Sequence, residues 1–301
     1  MKKLLRLIFL APLFFIAVTA KAQEPQGIFL NNITTAELLK IYEKNNYKDY
    51  IYIEKWRYPA IFLDNLPTDF QTLEDESLRN RIFLMIVGPL ALKINEEIIE
   101  ERSQIVDIQE YFLKNKELTP EQEAIIEEKA KKYDIFTRLK GYRRHQYLLN
   151  ELILNVDMVS PSILMAMAAI KTDWGTSRLS HQANSLYKEM VFFSDEGIKP
   201  EKVGEDSNND DSYRFKVFPN LLSSMRSYAL KINSNINYYQ FRKMRESLRY
   251  REKPFLGRSL AHLMFFDTKL ENIAGLLDYT ITFYELTNWD EALLNYNNLK
   301  M

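Results

Sequence analysis

Residues 155–187 read NVDMVSPSILMAMAAIKTDWGTSRLSHQANSLY, and this stretch decides the fold. Ser160-Pro161 is a helix start, a small hydroxyl residue followed by a proline whose missing N–H costs nothing at a first turn. Ser162 to Ile170 is apolar nearly all round, which marks a helix buried in the centre of a core rather than one lying on a surface. Gly175 breaks or bends that helix, and a short second helix is expected from Ser177 to Gln182.

Working outward, the second half of the chain, 146–301, alternates short strands and helices. Met190-Val191-Phe192-Phe193 and the alternating Tyr213–Phe218 read as two strands of a β-hairpin. Between them lies a polar, acidic loop, Gly204–Asp211, whose carboxylates lack the spacing of a calcium loop. Helices are expected at about 220–233, 237–251, 257–265 and 270–286. Residues 23–145 read as helices. Leu73–Asn115 is strongly helical, with Ile94, Ile98, Ile99, Ile105 and Ile108 marking one face and Pro89 predicting a kink or break. Thr119-Pro120-Glu121 predicts a second helix start.

The composition agrees with this. The 301 residues are 46% hydrophobic and 27% charged, enough apolar mass for a large core and unlike a disordered chain. Only 8 Gly and 10 Pro favour long helices over many turns. Forty basic residues against 41 acidic ones give no electrostatic footprint for nucleic acid. No cysteine is present, which excludes disulfides, thiolate nucleophiles, thiolate metal sites and a lipid-carrying cysteine. His145, His181 and His262 have no metal-ligand spacing and read as structural, so neither a metal nor another cofactor is expected. Residues 1–22 read as a signal peptide: Lys2, Lys3 and Arg6, an apolar run from Leu7 to Val18, then Ala20-Lys21-Ala22. The expectation is an exported chain, periplasmic or secreted, with no second run long enough to span a membrane.

Trp174-Gly175-Thr176-Ser177-Arg178 and Asn184-Ser185-Leu186-Tyr187 resemble, in order and spacing, the signature of the glucosaminidase domain of glycoside hydrolase family 73, and more closely its Bax-type branch. Glu196-Gly197-Ile198-Lys199-Pro200, Phe215-Lys216-Val217-Phe218 and Ser224-Met225-Arg226-Ser227-Tyr228 extend the resemblance. Tyr58–Leu63 and the helix after it resemble the N-terminal extension of that branch. The resemblance implies a mainly α (α+β) fold: a lysozyme-like helical domain over 146–301 with a small β-hairpin lobe, preceded by the helical region 23–145. It further implies hydrolysis of the bond after N-acetylglucosamine in the glycan strands of peptidoglycan.

This sequence departs from the pattern where the chemistry lies. The family's general acid, a Glu three residues before the Trp, is replaced by Lys171. Glycosidic cleavage needs a carboxylic acid with a pKa near working pH, whereas an unperturbed Lys lies at about 10.4 and adds positive charge beside an oxocarbenium-like transition state. Asp173 is two residues away, which on a helix is about 200° round, so it needs local unwinding near Gly175 to reach the cleft. Asp195 and Glu196 fall in the hairpin that carries the family's second acidic residue. Phe266 stands where the family has a Tyr, Lys188 where it has a Gly, and Lys231 where it has an Asn. Trp174, Tyr187 and Phe266 are candidates to stack on sugar, and Asn184 to bond an N-acetyl group, each also readable as a core or turn residue. Three functions stay open: an impaired enzyme that keeps the glycan cleft, an active enzyme with a relocated carboxylate, and a non-catalytic helical adaptor of the envelope.

Overall fold

The longest element is α2 (Glu76–Asn115), which begins where the Asp75 carboxylate accepts the Leu78 N–H at 3.0 Å. Pro89 does not break the helix, and the structure shows why. Proline cannot donate to the carbonyl four residues back, here that of Met85. The hydroxyls of Tyr47 (3.0 Å) and Tyr42 (3.3 Å) donate to that carbonyl instead, so no buried acceptor is stranded. Gly88, one residue earlier, lies against Trp289: a Cβ there would sit 2.2 Å from the indole.

This computed structural model describes residues 27–51, 56–200, 212–265 and 272–301. The expected signal peptide, the acidic loop and Phe266 lie outside the described residues. Before α2 come β1 (Ile28–Leu30), α1 (Thr35–Lys44), β2 (Arg57–Pro59) and β3 (Ile61–Leu63). The expectation of helices alone over 23–145 is therefore corrected. β1 pairs in parallel with β3, and β2 in parallel with β6 (Leu293–Asn295). Three-residue strands are too short to show alternation, and β2 finds its partner only at the far end of the chain.

After α2 follow α3 (Pro120–Lys132), capped by Thr119 and Gln122 as a capping box, and α4 (Gly141–Asn155). The end of α4 is closed by Arg245, a fully buried guanidinium. It donates to the carbonyls of Leu154, Asn155, Asp157 and Met158 at 2.9–3.0 Å. The buried Asp157 carboxylate pairs with Arg249 and Arg102, so although burial pushes its pKa up, the arginines hold it below the ordinary range.

Next is α5 (Pro161–Thr172), buried on every side from Pro161 to Ala169 as its sequence requires and packed against α2. Then come α6 (Arg178–Gln182), β4 (Met190–Phe192), β5 (Tyr213–Phe215), α7 (Leu221–Ser234), α8 (Tyr239–Tyr250), α9 (Gly257–Leu260) and α10 (Ile273–Phe283). β4 and β5 form the expected antiparallel hairpin. The molecule is mainly helical, and one continuous core runs from Leu30 to Leu294, joining the N-terminal helices to the rest.

Candidate active site

Lys171 is half-buried in the last turn of α5, where its positive charge meets the negative pole of the helix. The helix stops one residue later. Asp173 (φ 50°), Trp174 (φ 55°) and Gly175 (φ 83°) are all left-handed. Each non-glycine residue in that region costs about 1–2 kcal/mol, so the turn exists because its surroundings force it. Thr172 Oγ1 donates to the Ala168 carbonyl at 2.7 Å and accepts the Gly175 N–H at 2.8 Å. The Trp174 N–H reaches the Ala169 carbonyl at 2.9 Å, and the Ser177 N–H reaches that of Thr172 at 2.9 Å. The Gly175 carbonyl is held by Ser180 Oγ (3.1 Å) and His181 Nε2 (2.8 Å). Burial holds the His181 pKa below its ordinary value, which suits a neutral ring donating to a carbonyl. Gln71, just before α2, donates to the Thr176 carbonyl at 2.9 Å. A side chain at Gly175 would strike Phe70 and Phe83, each 2.8 Å from its Cβ.

The left-handed turn changes the standing of Asp173. On a continued helix it would face away from Lys171. Because α5 ends at Thr172, that restriction does not apply: Asp173 is exposed, and its carboxylate accepts the Thr176 hydroxyl at 3.2 Å. Trp174 is half-buried, its ring 4.4 Å from Tyr284 and 6.4 Å, edge-on, from Phe83.

The hairpin carries the other carboxylates. Asp195 and Glu196 are exposed on the turn that leaves β4, and the Glu196 N–H donates to Ser194 Oγ at 3.1 Å. After Gly197 (φ 106°) the chain returns to β5, where Ile198 and Phe215 exchange backbone hydrogen bonds of 2.8 Å each way. Arg178 ties α6 to this lobe through the Lys199 carbonyl at 3.0 Å. Sequence reasoning passed over Glu189, a half-buried carboxylate at the root of β4 that accepts the Ser227 hydroxyl at 3.0 Å. A lone acid before an apolar run gives no signal in sequence.

Two predicted binding residues serve the scaffold. Tyr187 is only 2% exposed, stacked on Tyr228 at 3.9 Å, with its hydroxyl donating to the Leu164 carbonyl at 3.1 Å. It therefore offers no ring face to a sugar, a correction to its reading as a stacking residue. Asn184 (φ 48°) spends its side-chain amide on the carbonyls of Phe218 (3.2 Å) and Pro219 (3.3 Å), fixing the exit from β5. Lys188 adopts φ 52°, which explains why glycine suits its position in the related pattern. Lys231 Nζ lies 5.7 Å from the centre of the Tyr228 ring.

Residues 149–264 match the glucosaminidase family, described as mannosyl-glycoprotein endo-beta-N-acetylglucosaminidase. The chain is similar to Protein bax of Escherichia coli (strain K12), 26% identical over 185 residues, which are 61% of this chain and 61% of that protein. It also matches the crystal structure of the catalytic domain of the autolysin Auto from Listeria monocytogenes, with 19% identity, 45% of this chain and 76% of that one covered, and a TM-score of 0.33. The chain thus carries a glucosaminidase-family domain and is a distant relative of Protein bax.

Proposed function

We propose that this protein holds the glycan strands of peptidoglycan in the cleft of a glucosaminidase-type domain in the cell envelope and hydrolyses them poorly or not at all. The observation that carries this reading is Lys171 in the last turn of α5. The turn beyond it is held rigidly by the bonds around Thr172 and Gly175, the kind of support that keeps a reacting group in place. The scaffold for proton donation is kept and the donor is replaced. An ammonium there cannot deliver a proton to the departing sugar oxygen as a neutral carboxylic acid does, and it opposes positive charge building on the sugar ring.

A digestion assay on purified cell walls tests this. Wild type is expected to release no more reducing sugar than buffer while remaining bound to the walls. Lys171→Glu is expected to gain hydrolysis, on the order of 10²–10⁴-fold above wild type if the acid alone was missing. Brisk cleavage by wild type would overturn the reading.

One observation supports a second reading, an active enzyme with a relocated acid. Asp173 has left the helix and is exposed in the left-handed turn. On that reading wild type cleaves and Asp173→Asn abolishes cleavage in the same assay.

A further inference from the structure

Next to the α5 turn is an open groove of about 640 Å³, within the range of roughly 300–1,000 Å³ usual for ligand sites. One wall comes from the start of α2 and the segment before β2, the other from the end of α10. All its described lining residues lie outside the matched family region 149–264. Tyr284 joins the groove to the α5 turn, with its ring 4.4 Å from Trp174.

The lining has a distinct chemistry. Asn80 is only 4% exposed; its amide donates to the Tyr284 hydroxyl at 3.1 Å, and among the described residues its Oδ1 accepts no hydrogen bond. Asp49 and Arg81 sit 3.8 Å apart, a loose pair that leaves carboxylate and guanidinium open to further bonds. At the end of α10, Phe283 lines the groove and stacks at 5.4 Å and 20° on Tyr279, which stands beside the groove one turn back on the same helix; they leave 62% and 59% of their surface in solvent.

Exposed ring faces and planar polar groups together match a pyranose chain. Its C–H faces pack on aromatic rings, while its hydroxyls and amide N–H groups donate to carboxylate and amide oxygens. An apolar helix would have to desolvate the Asp49–Arg81 pair without replacing its bonds. A polyanion would meet the carboxylates of Asp49 and Glu76. We propose that this groove is a second carbohydrate subsite, built by the N-terminal region and the end of α10, that binds a segment of N-acetylhexosamine chain leading away from the α5 turn. The proposal rests on the glycan-binding reading above.

Titration calorimetry of the full chain with a linear tetramer of β-1,4-linked N-acetylglucosamine tests it, alongside retention on purified cell walls. Two double variants are compared with wild type: Tyr279→Ala with Phe283→Ala, and Asp49→Ala with Arg81→Ala. Circular dichroism and thermal melting establish that each is folded. The expected result is tetramer binding by wild type, weakened about tenfold or more in both folded variants. Equal tetramer binding by wild type and both variants overturns the subsite and leaves the glycan-binding reading standing. Retention of wild type on walls with no tetramer binding does the same. Loss of both wall retention and tetramer binding in wild type overturns the two together.

Discussion

The two ends of α5 are built on opposite principles. The first turn is buried and served from far along the chain: Asp290 accepts the N–H of Ser162 at 2.9 Å, its hydroxyl at 2.8 Å, and the N–H of Gly257 at 2.7 Å. One carboxylate thus closes the starts of both α5 and α9, while Ser160, the apparent cap, turns its hydroxyl to the Phe255 carbonyl. The last turn lies nearer solvent and takes most of its hydrogen bonds from its own neighbours in sequence, through a run of left-handed residues, with Gln71 the distant donor. The buried end spends its hydrogen-bonding groups on stability. The half-exposed end holds Asp173 in a costly left-handed backbone two residues beyond Lys171, and backbone of that kind clusters at functional sites.

The largest expected effect breaks the buried end. Asp290→Ala leaves two backbone donors without partners, and a loss of about 3 kcal/mol is expected by urea unfolding. The size should depend on pH. Burial pushes the Asp290 pKa up to about 6 from 3.8, against the donors from Gly257 and Ser162, which pull it down. A raised native pKa means that its stabilisation is whole below about pH 3.8 and fades as the pH rises through about 6. Asp290→Ala should therefore cost more at pH 4 than at pH 7. Asp157, held low by its arginines, runs the other way: its contribution is present above the ordinary carboxylate range and lost as acid protonates it. A cost for Asp290→Ala that grows from pH 4 to pH 7 would contradict the assignment of a raised pKa.

The next effect tests the far end. Gly175→Ala forces a side chain into φ 83° and against Phe70 and Phe83, and about 2 kcal/mol of destabilisation is expected in the same unfolding series. A neutral result would mean that the turn relaxes easily and is no rigid support. The smallest effect concerns the side chain itself. Lys171→Ala removes a favourable charge at a helix end, worth about 0.3–1 kcal/mol, together with the contacts of a half-buried side chain. A much larger loss would place Lys171 among the structural charges and weaken its reading as a replaced acid.

These contrasts mirror what was legible in the chain. The buried α5, the break at Gly175, the short helix from Arg178 and the hairpin could all be read, because each depends on local periodicity and turn chemistry. The resemblance led to Lys171 for the same reason, since a motif is a local string. Tyr187 was misread because an aromatic with a hydroxyl suits a sugar or a core equally well, and only the Leu164 carbonyl and the Tyr228 ring decide between them. Asp173 was judged by helical spacing, which ceased to apply once the helix ended at Thr172.

The sequence by itself determined several of the helices and which of them is central, and its resemblance to a known family marked the amine at the position of the expected proton donor. The helices follow from interactions between residues a few positions apart. The tertiary structure alone decided that Pro89 stays within α2, that Asp290 closes α5, that β2 pairs with β6, and that Asn80 and Phe283 border one groove. Each joins residues far apart in the chain, and a long-range contact leaves no periodic trace because its partner can lie at any separation.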